Sequence, residues 1–270
     1  MLSLDWKDRL KKDTVDFFER KLPSGDYDID IIYNAYPERI DGHVPHAVIT
    51  FVGKIIATKI QKKADQYVGF LDYLITKKGE NGNIIFAHIL NKSIKNNPLF
   101  FLPYIEKTLF SLEEQKTCNL IINKVFYPLF TKNPEQYLDT IIGWLKKDDE
   151  ILTESVDNIL KKFIKSRPDM IKQIFGKLEN LWLYASPQIS KLNVHFLKKI
   201  YDVDRDFYHS IFANYKNTRN PTFAHILCDA IVCHSDEIQI MVDNWSRSGN
   251  IKLKKIGQHG QKILKKQKRK

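Results

Sequence analysis

Apolar side chains recur along most of this chain three and four residues apart with charged residues between them, the pattern of amphipathic helices. Three segments open alike, at Asn97-Pro98, Asn133-Pro134 and Arg167-Pro168, and each leads into an apolar triplet spaced by three and then four residues. The triplets are Leu102/Ile105/Leu109, Leu138/Ile141/Leu145 and Ile171/Ile174/Leu178. The same spacing returns without the proline at Tyr208/Ile211/Tyr215 and Ile238/Met241/Trp245. Proline suits the first turn of a helix, where its missing N–H has no partner to lose. Counting back eight residues from each triplet gives Ile94, Phe130, Phe163, Ile200 and Ala230. Counting back twelve gives Leu90, Phe126, Ile159, Phe196 and Ile226. One rule generates all ten positions, and all but Ala230 are large and apolar, so a first helix precedes each second helix in a unit of roughly 34 residues. The pentapeptide Phe-Ala-His-Ile-Leu occurs twice, at 86–90 and 223–227, which puts His88 and His225 at matching positions and gives both a packing or capping role.

Upstream, His43–Lys59 and Ala64–Lys78 form one further expected helix pair, and Asp5–Leu22 an N-terminal helix. Pro23–Asp28 and Arg39–Pro45 have loop composition, and Asp26–Ile40 receives no repeat assignment. Leu253/Ile256/Gly260/Ile263 predict a final helix, with a frayed basic tail beyond Lys265. No stretch alternates like a strand. The expected architecture is all-α: a single α-solenoid of stacked antiparallel hairpins. It divides into N-terminal helices and loops (1–42), hairpin repeats (43–249), a capping helix (250–264) and a basic tail (265–270).

Charge changes this picture at one end only. The net charge is +11, yet Ile251–Lys270 holds nine Lys or Arg and no acid, which leaves about +2 for the other 250 residues. The N-terminus lacks an apolar secretory core, the apolar runs are too short for a bilayer, and three cysteines (Cys118, Cys228, Cys233) make no disulfide framework, so a soluble, cytoplasmic protein is expected.

A hairpin repeat of this length, without tetratricopeptide or ankyrin signatures, is similar to HEAT-like (armadillo-like) repeats. Ser155-Val-Asp157-Asn-Ile-Leu160 followed by Arg167-Pro168-Asp169-Met-Ile171 resembles the HEAT-like hairpins of bacterial alkylpurine DNA glycosylases, and so do Ile238–Trp245 and Ile251–Leu264. That resemblance implies excision of positively charged alkylated bases, with Asp157 as the stabilising carboxylate. The aromatic that precedes this carboxylate by four residues in the family pattern is Thr153 here.

The residues themselves offer other candidates. Lys161-Lys162 and Lys198-Lys199 end successive first helices, so stacking would align them as a ridge, with Lys165 and Arg167 nearby, suited to a phosphate backbone or to a helix C-terminus. Lys252, Lys254, Lys255, Lys265 and Lys266 in the C-terminal segment suit nucleic acid, an anionic surface or an acidic protein. Trp144 and Trp182 lie just off the apolar stripe and are candidates for a groove. Cys228, Cys233 and His234 do not have zinc spacing, and no metal or cofactor is expected. The expected function is nucleic-acid backbone binding without catalysis, DNA before RNA. The alternatives are the glycosylase activity and a protein-interaction scaffold.

Overall fold

Proline and short polar caps start most of the helices, as the repeat spacing predicts. The computed structural model describes residues 6–20, 29–36 and 38–267, and among these the regular structure is helical, with a single isolated β-bridge between Ile40 and His43. By its internal contacts the chain falls into two compact units, Met1–Lys132 and Asn133–Lys270.

The first unit contains α1 (Trp6–Arg20), α2 (His46–Ile60), α3 (Val68–Lys77), α4 (Gly79–Ser93), α5 (Pro98–Leu109), α6 (Gln115–Ile121) and α7 (Tyr127–Lys132). The expected pair at 43–59 and 64–78 is α2 and α3, the latter preceded by a 3-10 turn at Ala64–Tyr67. Ile29–Ala35, within the stretch that had no assignment, is a 3-10 helix. Arg39–Pro45 is a turn, with positive φ at Asp41 and Gly42. The expected loop at 23–28 lies outside the described residues. Helix α4 packs on α2, α3 and the segment after α6. Its approach to α2 is close at Gly53, where an added Cβ would stand 3.2 Å from the Ile85 Cα.

Between α6 and α7 the helix widens into a π-turn over Ile122–Phe126. Pro128 has no N–H to give the carbonyl four residues back, and its ring crowds that carbonyl. That carbonyl belongs to Lys124, and it accepts a hydrogen bond from the Asn91 side chain on α4. The Tyr127 N–H bonds Ile122 instead, five residues back.

The second unit contains α8 (Pro134–Leu145), α9 (Glu150–Ser166), α10 (Ile171–Glu179), α11 (Pro187–Val203), α12 (Arg205–Asn214), α13 (Pro221–Asp229), α14 (Asp236–Ser246) and α15 (Ile251–Gln267). Helix α9 packs on α11, α11 on α13 and α13 on α15, while α8 packs on α10 and α12 on α14. Asp149, Ser186, Asp204, Asn220 and Ser235 cap α9, α11, α12, α13 and α14, each side chain accepting a backbone N–H of the first turn.

All ten positions generated by the counting rule are buried, Ala230 included. The second-helix triplets are buried as well, except that Leu102 and Tyr215 are half-buried. Three expectations are corrected. Lys265 and Lys266 belong to α15 and not to a frayed tail, since the helix runs to Gln267. The buried stripe of α15 is Leu253/Gly257/Gly260/Leu264, with Ile256 and Ile263 only half-buried. The glycines let α15 lie against α14 so closely that a Cβ on Gly257 would stand 2.2 Å from the Ser246 nitrogen. Finally, His88 and His225 are not equivalent. His88 is six residues before its column residue Ile94 and buried, whereas His225 is five before Ala230 and exposed. One residue turns a helix by about 100°, so the shared pentapeptide faces differently in its two places.

Candidate nucleic-acid interface

Asp157 sits in the middle of α9 and is 5% exposed. One carboxylate oxygen, Oδ2, accepts from Lys161 Nζ at 2.8 Å, one turn along the same helix, and from His195 Nδ1 at 2.7 Å on α11. Because a carboxylate only accepts, Nδ1 carries the proton and the outer nitrogen of His195 is left for solvent or a ligand. The other oxygen, Oδ1, is buried without a hydrogen-bond partner. In front of the pair lies a cavity of about 170 Å³, also lined by Thr153, Asn158, Gln188 and Lys191. Asp157 therefore lines a cavity, but its carboxylate already holds two basic groups. His195 was not among the sequence candidates. It lies 38 residues after Asp157, where the repeat offset between these helices is 37, so counting in register selects Val194 instead.

The lysine ridge is weaker than its sequence implies. Lys161 is committed to Asp157, Lys199 Nζ lies 2.7 Å from Asp202, and Arg167 forks onto Asp169 at 2.6 Å. The Arg167 guanidinium and the Asp169 carboxylate stabilise each other's charged forms, which raises the first pKa and lowers the second. Lys162 and Lys165 are exposed and Lys198 is half-exposed.

Helix α15 is different. Lys252, Lys255, Lys262 and Lys266, with His259, fall at intervals of three and four and so share one flank of the helix. Lys254 and Lys265 lie on the other exposed flank. Among the described residues no carboxylate stands within ion-pair distance of any of these six lysines. The stripe is about 21 Å long at 1.5 Å per residue. Its start opens onto a groove of about 650 Å³ between α11, α13 and α15, where Lys191, Lys252 and Lys255 meet the first turns of α11 and α13. Lys191 also lines the cavity at Asp157, so the two depressions adjoin. Asp229 at the groove edge lies 3.4 Å from both His225 and His259.

Trp144 and Trp182 line no groove. Both are buried, and the Trp182 indole donates to Asn193 Oδ1 at 2.8 Å while its ring packs on Phe175, Tyr215 and Phe223. Helices packed on two sides bury a wider face than one apolar stripe, and the two tryptophans occupy that extra width. Cys118 and Cys228 are buried, and desolvation pushes the Cys228 thiol up to about 12. Cys233 is half-buried against His209. Among the described residues no group of three or more potential ligands is placed to hold a metal, and no helix is long and apolar enough to cross a membrane.

The chain matches no protein-family model, and comparisons with curated proteins and with solved structures give no significant match.

Proposed function

We propose that this protein binds the phosphate backbone of nucleic acid without catalysis, through the second unit. HEAT-like stacking of its hairpins aligns α9, α11, α13 and α15 into one surface. The observation that carries the reading is the unpaired lysine stripe of α15 opening onto the groove lined by Lys191. Lysines without an ion-pair partner gain most from a polyanion, because counterions leave the phosphates as they bind. DNA is the preferred ligand. Four lysines on successive phosphates contribute about 3.6 to the slope of log affinity against log salt on duplex DNA. Replacing Lys252, Lys255, Lys262 and Lys266 with Gln removes most of that slope and weakens binding to all sequences alike. An unchanged slope in the variant refutes the interface.

A second reading takes Asp157 as a chemical centre acting on alkylated bases, supported by the cavity at its carboxylate and by the family resemblance. It meets two obstacles: Thr153 stands where the aromatic belongs, and Oδ2 is engaged by Lys161 and His195. It requires release of an alkylated purine from DNA, abolished by Asp157→Asn. Absence of release from every alkylated substrate ends it.

A further inference from the structure

In the first unit, α2, α4 and the π-turn before α7 lie side by side. Lys54, His88 and Lys124 recur on these three neighbours at spacings of 34 and 36 residues. Lys92 lies one turn beyond His88, with its ammonium donating to Thr58 Oγ1 at 2.5 Å. Among the described residues none of the three lysines has a carboxylate within ion-pair distance. Burial and the field of Lys54 both lower the Lys124 ammonium below its ordinary range. His88 lies beneath them, 8% exposed, its ring against Gly53 of α2 and its Nε2 without a hydrogen-bond partner. The π-turn that Pro128 imposes fixes where Lys124 stands, and Asn91 anchors that turn through the Lys124 carbonyl.

A fold that sets three lysines, none with a carboxylate in ion-pair distance, around a buried imidazole whose Nε2 has no partner has built much of the complement of an anion, with Glu80 and Glu114 lining the cavity beside Lys124. The ordinary alternative is a solvated lysine surface, but such a surface has no reason to crowd ammonium groups or to leave an imidazole nitrogen unmatched beneath them. A carboxylate ligand would satisfy one or two of the lysines. A phosphate group, with several charged acceptor oxygens, can engage all three.

We propose that Lys54, Lys92 and Lys124, backed by His88, form a phosphate-binding site in the first unit, separate from the α15 stripe. The phosphate could belong to a small phosphorylated molecule or to a nucleic-acid backbone, which share this chemistry. The test is calorimetric titration of the full chain with inorganic pyrophosphate, at ionic strength held constant with sodium chloride. Saturable binding is expected, weakened at least about tenfold in Lys54→Met/Lys124→Met, since each lost charge-assisted contact is worth about that factor. The same double variant should melt higher than the parent in phosphate-free buffer, because mutual repulsion is relieved, and this shows that it is folded. The α15 glutamine variant should bind pyrophosphate normally. Displacement of pyrophosphate by a short DNA oligonucleotide assigns the site to a nucleic-acid backbone, and failure of displacement assigns it to a small phosphorylated ligand. No saturable binding, or equal binding by parent and double variant, overturns the proposal.

Discussion

Acidification should destabilise the first unit through His88 before the carboxylates begin to protonate. Desolvation first, then the fields of Lys124 on the π-turn, Lys54 on α2 and Lys92 on α4, push the His88 pKa down to about 4 from an ordinary 6.5. A group with a depressed folded-state pKa keeps its neutral form in the fold, while the unfolded chain takes up a proton as pH falls through 6.5. The unfolded state binds more protons between the two values, so stability falls as pH falls. For one such histidine the loss between pH 7.5 and pH 5 is about 2 kcal/mol, approaching about 3 kcal/mol below pH 4. Both are upper figures, because the lysine heads reach solvent and screening weakens their part. The assay is urea unfolding of parent and His88→Gln at intervals from pH 7.5 to 5, with hydrogen exchange in α4 to place the change. Gln does not titrate here, so the parent should lose about 2 kcal/mol more than the variant over this window. Parallel pH curves would show that His88 is solvated and uncrowded, and would remove the buried member of the proposed phosphate site.

Gly257→Ala should destabilise α15 although alanine favours helix by about 1 kcal/mol: the new Cβ would stand 2.2 Å from the Ser246 backbone nitrogen, which cannot swing aside, and faster hydrogen exchange in α15 is the readout. Trp182→Ala should cost about 3–5 kcal/mol by urea denaturation, from the cavity and from the abandoned Asn193 oxygen; a loss below about 1 kcal/mol would mean that the indole is exposed in solution. Asp157→Ala should cost about 1–3 kcal/mol, less than a fully buried pair, because Lys161 and His195 can both turn to water. The His195 ring should then show altered imidazole nitrogen shifts by NMR, whereas unchanged shifts would deny the Asp157 contact.

The helical register was legible because buried positions recur along the sequence at nearly constant spacing with large apolar residues, as at Ile94, Phe130, Phe163 and Ile200. Polar partnerships across neighbouring helices were harder to read. The Asp157–His195 contact joins positions one residue out of register, and a carboxylate's partner depends on side-chain reach as well as on the repeat. The close seat of α15 was hidden for another reason: Gly257 and Gly260 contribute contact by having no side chain, so an apolar count passes over them. Charge counting also overstated the lysine ridge, since Asp157, Asp169 and Asp202 are spaced to neutralise it locally. By the same counting, Lys262 was passed over and proves to lie on the stripe of α15.

The rule that found the core also locates the ionisable groups, once it is applied to polar residues. Six positions before the column residues Ile94, Phe130 and Phe163 stand His88, Lys124 and Asp157. All three are charged or titratable, and two are buried while Lys124 is half-buried. A seat on an apolar helix face is an expensive place for such groups unless something compensates them. In the second unit the compensation is internal, because Lys161 and His195 supply the missing charge to Asp157. In the first unit it is not: the seat holds a lysine and an imidazole, and among the described residues no carboxylate stands within ion-pair distance of Lys54, Lys92 or Lys124. The same spacing with opposite electrostatic outcomes separates a settled structural pair from a site that still lacks its counter-charge, and it is the first unit that calls for a ligand from outside the chain.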